Sequence, residues 1–351
     1  MEALPMFQEM LEEFWDSFYY MTFEDRGGFW TIVGVIAGVV LLYHLLLRFA
    51  PKVVAPIHKF LSKHPLIWIL IPAAALIYFV YVSLGWNLWV SVSDWAEGDL
   101  EASYGFGGFG NYVKMFNSPY FWPALGNTLL LFCLIPICLL LGLGLALVMD
   151  QGLRGTAVFR TMILLPFALS FVVTGTVWAY MYRPTGGVLN SFLSMLGVNV
   201  SAAIKEGNLM WASSSSSIMP SIIIAMVWQF SGYVAVVFLA AIKNVRVNII
   251  NAAKLDGAYM PRIYWKLVIP QLKGAMGSCI TILAMYALRS FDFIVSLVGY
   301  TTSSAWTLPI WMYNEAFQNN NFAYSSAISC FLLALVLVLI LPLTYWTNKR
   351  K

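Results

Sequence analysis

Seven long runs of apolar residues constrain the fold of this chain more than any other feature. A helix rises about 1.5 Å per residue, so roughly 20 apolar residues cross about 30 Å of hydrocarbon. Composition agrees, because 60% of the 351 residues are hydrophobic and only 10% are charged, whereas a soluble domain has about 25% charged residues. We therefore predict an all-α integral membrane protein with about seven transmembrane helices, at residues 29–49, 66–90, 125–149, 158–182, 218–242, 275–299 and 323–347.

The positions of the basic residues set the predicted orientation of these helices. Loops rich in Lys and Arg normally stay in the cytoplasm. Fifteen of the 20 basic residues fall after the first span, after the third span, in the segment 243–273, or at the C-terminus. Acidic residues lie mainly before the first span and after the second. We expect a bacterial or archaeal plasma-membrane protein with its N-terminus outside and its C-terminus in the cytoplasm. The net charge of +4 then reflects topology, not affinity for nucleic acid.

A polar, basic segment at residues 243–273 separates the fifth and sixth predicted spans, and we call it the coupling segment. Ile250 and Ala253 have helical spacing, Gly257 can adopt the left-handed conformation that ends a helix, and Pro261 suits the first turn of another. The sequence therefore predicts two short helices here. Small side chains on the first helix allow a partner protein to approach its backbone closely.

This segment resembles the cytoplasmic loop of the membrane subunits of ABC importers. In that family an Ala-Ala pair, a later Asp-Gly and a following Pro mark the helix that docks on the ATPase. Between about residues 66 and 346 the chain is also similar to carbohydrate-importer permeases of the maltose type, at Asn111, Tyr112, Asn127, Thr128, Arg160, Leu165, Pro166, Trp178, Gly187, Asn190, Ala316, Phe317 and Phe322. One position differs, because the family usually has Glu where Asn251 stands, so a salt bridge from that position is not expected.

We expect three regions in the chain. An amphipathic stripe predicts an external segment at residues 1–28, an apolar run predicts an extra N-terminal span with a basic cytoplasmic loop at residues 29–65, and the resemblance implies a six-helix importer domain at residues 66–351. A short cytoplasmic coupling helix lies between spans five and six. The residues expected to couple the chain to the ATPase are Asn251, Ala252, Ala253, Asp256, Gly257 and Pro270.

Two charged residues, Arg289 and Asp292, fall inside the sixth predicted span, where a charge is costly and often functional. Their spacing puts them on one face of a single helix. They either form an internal ion pair that stabilises the bundle or face an aqueous path. Aromatic and amide residues on the fifth span suit a sugar, yet they are also ordinary anchors at a membrane interface.

The resemblance favours a substrate path. The sugar-contacting positions of maltose-type permeases fall near five residues of this chain, which are Phe167, Gln229, Tyr233, Arg289 and Asp292. We hypothesise that Gln229, Tyr233 and Asp292 contact sugar, while Arg289 orients Asp292.

No catalytic or metal-binding motif accompanies these features. The sequence contains no GxxxxGK[ST] phosphate loop and no HExxH motif. Its four cysteines fall inside predicted spans without metal-ligand spacing. We expect a transport subunit without an ATPase site or cofactor of its own, with ATP and Mg bound by a partner ATPase.

These observations predict the permease subunit of an ATP-driven importer that moves a sugar or related polyol by alternating access. The expected partners are a second permease subunit, a dimer of ATP-binding subunits, an extracytoplasmic solute-binding protein, the sugar and membrane lipid, but no nucleic acid. Two alternatives come from other classes. One is an ion-coupled secondary transporter in which Asp292 carries protons, and the other is a membrane assembly factor whose basic segment binds a different cytoplasmic protein.

Overall fold

The computed structural model describes residues 66–348, except residues 100, 101, 153, 208 and 246. The predicted external segment, the extra span at 29–49 with its basic loop, and the basic residues 349–351 lie outside this part of the chain. The chain divides into two compact units, Met1–Ser83 and Leu84–Lys351. Of the first unit only residues 66–83 are described, and they are helical.

Helices account for all regular secondary structure in the described residues apart from one isolated β-bridge, between Ser93 and Phe106. This confirms the predicted all-α class. In chain order the helices are α1 (Leu66–Ser91), α2 (Gly110–Asn117), α3 (Phe121–Leu130), α4 (Leu134–Asp150), α5 (Thr156–Ala168), α6 (Phe171–Met181), α7 (Val188–Met195), α8 (Val200–Lys205), α9 (Ile218–Lys243), α10 (Val247–Leu255), α11 (Met260–Ile263), α12 (Ile269–Gln271), α13 (Lys273–Leu288), α14 (Phe291–Val298), α15 (Leu308–Phe317) and α16 (Phe322–Asn348).

Three stretches of the described chain are long and apolar enough to cross a membrane without a sharp bend. They are Phe121–Asp150, Ile218–Lys243 and Phe322–Pro342. Two further stretches meet the same test only as bent pairs. The chain bends by 99° between α5 and α6, and by 64° between Met260–Gln271 and α13. Up to five spans therefore lie in the described residues.

Two of the predicted spans differ from the structure in their continuity. The run 158–182 is divided at Leu169, whose extended backbone (φ −76°, ψ 145°) ends α5. The run 275–299 is divided at Arg289 and Ser290, which separate α13 from α14. Hydropathy does not locate either break, because apolar helices lie on both sides of each one.

Helix α9 lies at the centre of the second unit. In the most apolar 18-residue stretch of α9, 67% is buried, whereas the corresponding shares are 33% for Phe121–Asp150 and 28% for Phe322–Pro342. A helix that is apolar on all sides must be covered by other helices or lipid. Glycine allows neighbouring helices to approach α9 closely. A Cβ on Gly142 of α4 would lie only 2.8 Å from the Cβ of Val234 of α9. The packing of α4 and α5 on α9 positions the residues described next.

A second, smaller core joins α3, α15 and α16. Phe121 of α3, Trp311 of α15 and Tyr324 of α16 are buried together there. The Asn127 side chain of α3 donates hydrogen bonds to the backbone oxygens of Ser304 (3.0 Å) and Trp306 (2.9 Å). These contacts fix α3 against the loop that precedes α15.

Candidate substrate path and coupling segment

Aromatic rings from three helices meet at the predicted substrate path. Phe167 of α5 stacks on Tyr233 of α9, with ring centroids 4.6 Å apart and planes 19° apart. Tyr286 of α13 meets Phe167 edge-on at 6.3 Å. These three rings, with Met285 and Arg289, line most of a cavity of about 240 Å³. The structure thus brings Phe167, Tyr233 and Arg289 to one cavity.

Gln229 lies in an adjoining cavity of about 170 Å³, which shares Phe167 and Tyr286 as lining residues. The side chain is 2% exposed. Its Nε2 donates to the backbone oxygen of Leu169 at 3.1 Å, and so satisfies a carbonyl at the bend between α5 and α6. Its Oε1 has no hydrogen-bond partner among the described residues. A buried amide oxygen without a donor is costly, and it can accept a hydrogen bond from a hydroxyl group that enters the cavity.

Arg289 and Asp292 do not lie on one helix, which corrects the expectation from their spacing. Arg289 follows the last residue of α13, and Asp292 stands in the first turn of α14. Both side chains are exposed, and no ion pair joins them in the described chain. Ser290 between them is buried, and its hydroxyl donates to the backbone oxygen of Ala287 at 2.9 Å. The two residues are on separate helical segments without an ion pair between them, so the structure does not support orientation of Asp292 by Arg289.

The coupling segment forms the two short helices that its sequence predicts. Gly257 follows α10 with φ of +78°. The N–H of Gly257 donates to the oxygen of Lys254, and the N–H of Ala258 donates to the oxygen of Ala253, both at 3.0 Å. This pair of bonds is a Schellman motif, which requires a residue that tolerates a left-handed conformation. Pro261 stands in the first turn of α11.

Exposure divides the coupling residues into two groups. Ala253 is half-buried against the main core, so it seats α10 on the bundle. The other five candidates are exposed, namely Asn251, Ala252, Asp256, Gly257 and Pro270. The two members of the Ala pair therefore have different surroundings, and only Ala252 is open to a partner protein.

Large apolar side chains surround the exposed coupling residues. Leu255 is 89% exposed, Tyr259 65% and Trp265 72%. A groove of about 510 Å³ lies among Tyr259, Trp265 and the basic residues Arg262 and Lys266. Exposed apolar groups rimmed by charges are typical of a protein interaction surface.

Comparison with known proteins decides the family. A family model for the inner membrane component of binding-protein-dependent transport systems matches residues 138–348. The chain belongs to this family. A probable ABC transporter permease of Pyrococcus horikoshii is 43% identical over 81% of this chain and 96% of its own length. The xylose/arabinose import permease of Haloferax volcanii is 35% identical over 80% of this chain and 86% of its own.

The fold of this permease also matches a solved importer. The crystal structure of a bacterial ABC transporter involved in the import of the acidic polysaccharide alginate aligns with a TM-score of 0.67. It is 21% identical and covers 84% of this chain and 99% of that chain. The family match confirms the predicted resemblance, and it identifies the chain as a multi-pass transport subunit of the plasma membrane.

Sequence reasoning missed Tyr286 and Phe171, which complete the aromatic lining of the permease cavities. Tyr286 lies 4.8 Å from Phe230 and 5.6 Å from Phe171, measured between ring centroids. One signal for Tyr286 was present, since it lies three residues before Arg289 and so on the same side of a helix. Phe171 carried none, because it follows a bend that hydropathy does not detect.

Within the described residues, no group of three or more His, Cys, Asp and Glu side chains is placed to hold a metal ion. The four cysteines are free thiols, with Cys133 exposed and the other three buried.

Proposed function

We propose that this permease is the membrane-spanning subunit of an ATP-driven importer that moves a sugar or related polyol by alternating access. Names of relatives support the substrate class. They include the xylose/arabinose import permease noted above and a diacetylchitobiose uptake system permease of Streptomyces coelicolor, which is 30% identical. The partners of the chain would be a second permease, an ATPase dimer and an extracytoplasmic binding protein.

The observation that carries this proposal is the buried Gln229 oxygen among aromatic rings. A sugar has apolar C–H faces that stack on rings such as Phe167 and Tyr233, and it has hydroxyl groups that donate hydrogen bonds. Gln229 Oε1 has no other donor among the described residues. One ligand of this chemistry would use both the rings and the unpaired oxygen.

The exposed charges of Arg289 and Asp292 support an aqueous path. A charge in contact with lipid is expensive, so membrane proteins turn such groups toward water or a partner subunit. Both side chains are open in the single chain. A second permease subunit on this face would enclose a water-filled path between the two chains, and the charges would line it.

Energy would reach this path through the coupling segment. Movement of the ATPase dimer would displace α10, which Ala253 seats on the core. Packed helices respond as rigid elements with a few discrete arrangements. The path would then open alternately to the two sides of the membrane. A binding protein delivers the solute in this scheme, as the alginate transporter solved with its alginate pentasaccharide-bound periplasmic protein suggests.

Both alternatives lose support from the family match. An ion-coupled transporter would work without an ATPase, and an assembly factor would have no need of a cavity with an unpaired amide oxygen. Family members are components of binding-protein-dependent transport systems. Neither alternative has an observation of its own that favours it.

Uptake of radiolabelled sugars by the reconstituted importer tests the proposal, after a ligand screen of the binding protein has identified the substrate. Gln229→Leu and Tyr233→Ala each remove a proposed sugar contact, so the KM should rise by about tenfold. Asp292→Ala should lower uptake and substrate-stimulated ATP hydrolysis. Gln318→Leu is the control, because Gln318 is exposed, lines neither cavity and lies outside the coupling segment.

Two results would count against the proposal in different ways. Unchanged kinetics in the Gln229, Tyr233 and Asp292 variants would remove these residues from the substrate path. Uptake driven by a proton gradient, in the absence of an ATPase, would overturn the importer itself.

A further inference from the structure

One carboxylate contacts both ends of the coupling helices. Asp150, the last residue of α4, forms an ion pair with Lys243 through Oδ1 at 2.7 Å. Its other oxygen, Oδ2, accepts a hydrogen bond from the Tyr264 hydroxyl at 2.6 Å. Lys243 is the last residue of α9, before α10, while Tyr264 directly follows α11. One carboxylate therefore contacts both the residue where the chain leaves the bundle, Lys243, and the residue just after α11, Tyr264.

Local structure gives no reason for an acid at this position. Asp150 stands at the C-terminus of its own helix, where the macrodipole disfavours a negative charge. Lys243 is favoured at the C-terminus of α9 for the opposite reason. Where a residue is unfavourable locally, its tertiary contacts must account for it. The contacts here are Lys243 and Tyr264.

The two contacts differ in strength. The side chain of Lys243 is 61% exposed and that of Asp150 15% exposed, so solvent screens the ion pair on the lysine side. The bond from Tyr264 joins a hydroxyl to an ionised, largely covered acceptor, which makes it a strong hydrogen bond. We expect Tyr264 to be the more important partner.

Tyr264 also begins an unusual element. Residues Tyr264–Val268 form a π-helix, a rare conformation that is often found at functional sites. Ile263 just before it is 1% exposed and Val268 at its end 0%. These buried residues seat the downstream end of the coupling segment in the core, and Asp150 joins that end to α4. Helix α4 in turn packs closely on α9 at Gly142.

We propose that Asp150 is a positioning residue that transmits movement of α10 to α4, and so couples ATP use by the partner to movement of the substrate path. The inference rests on the proposed function. A force on α10 reaches the bundle through Ala253 and at the two ends of the coupling helices, and the same carboxylate contacts both ends. Loss of that carboxylate would weaken the link between α10 and α4.

The test uses the complete importer in liposomes, with its ATPase, second permease and binding protein. Asp150→Ala and Tyr264→Phe should each raise the number of ATP molecules hydrolysed per sugar transported by roughly threefold. Lys243→Met should have a smaller effect, because the lysine is exposed. The amount of copurified ATPase and the melting temperature of the Tyr264→Phe complex should match the wild type, so a loss of assembly would not explain the result.

Matched controls and a double variant sharpen the test. Tyr120→Phe removes a hydroxyl, and Lys205→Met removes an exposed charge, at residues that line none of the three cavities and lie outside the coupling segment. Both should keep the wild-type ratio. Asp150→Ala combined with Tyr264→Phe should be no worse than Asp150→Ala alone, because residues that act as one unit are not additive.

The outcomes separate this inference from the proposed function. A wild-type ratio of ATP to sugar in Tyr264→Phe and Asp150→Ala, within an importer that transports, would overturn the role of Asp150 and leave the importer intact. If Asp150→Ala fails to assemble, Tyr264→Phe decides alone, since it removes a single oxygen atom. A wild-type complex without ATP-dependent uptake would overturn the proposed function and this inference with it.

Discussion

At the scale of the residue, Gly232 marks the crossing of α9 and α5. A Cβ at this position would overlap the carbonyl oxygen of Ile163 and lie 2.6 Å from its carbonyl carbon. These are backbone atoms, which cannot rotate away as a side chain can. Gly232→Ala should therefore push the two helices apart and lower the stability of the bundle by about 1–3 kcal/mol. The melting temperature of the purified protein in detergent measures this effect.

Gly144 provides the control for that substitution. It lies on α4, and a Cβ there would have no atom within 4 Å apart from its chain neighbours and the nearby backbone of its own helix. Since alanine also has the higher helix propensity, Gly144→Ala should leave the melting temperature unchanged or slightly raised. Equal melting temperatures for Gly232→Ala and the wild type would show that the helices do not meet at this glycine.

At the scale of the element, Gly257 ends α10 and sets the direction in which the chain leaves it. Its φ of +78° lies in the left-handed region, where a β-branched residue is strongly disfavoured. Gly257→Val should break the Schellman motif and change the direction of the chain after α10. We expect less ATPase to copurify with this variant and transport to fall with it, as measured by affinity purification and uptake.

Gly257→Asn separates conformation from loss of a small side chain. Asn tolerates the left-handed region and can replace Gly after a helix. This variant should therefore keep most of the copurified ATPase. Similar losses in the Asn and Val variants would mean that side-chain size at the interface, and not backbone conformation, is what matters there.

At the scale of the whole molecule, the charge bias predicts which surface faces the cytoplasm. Lys254 lies in the coupling segment, and Lys205 ends α8 in the loop before α9. In a variant whose four native cysteines are replaced, we expect Lys205→Cys to react with a membrane-impermeant maleimide in intact cells. Lys254→Cys should react only after the membrane is opened, because basic loops remain inside.

The reverse labelling pattern would place the coupling segment outside the cell, and no cytoplasmic ATPase could then dock on it. Both positions are exposed in the structure, so in cells that lack the partner ATPase a failure to react reports the side of the membrane and not burial. Labelling of both cysteines in opened membranes is the control for reactivity.

The structure of the coupling segment could be predicted from sequence because its signals are local. The Schellman motif depends on the conformation that Gly257 alone can adopt cheaply, and the start of α11 depends on the fixed φ of Pro261. Neither signal requires knowledge of distant residues. The lining of the candidate cavity was predicted less completely, because Tyr286 meets Phe167 and Phe230 from a different helix.

The sequence by itself determined the all-α membrane class and the helix-ending signals of the coupling segment. Both follow from the cost of placing polar groups in hydrocarbon and from the backbone preferences of single residues. Only the tertiary structure decided the bend at Leu169, the separation of Arg289 from Asp292, and the contact of Asp150 with both ends of the coupling helices. These features depend on packing between residues far apart in the chain, which neither hydropathy nor helical spacing records.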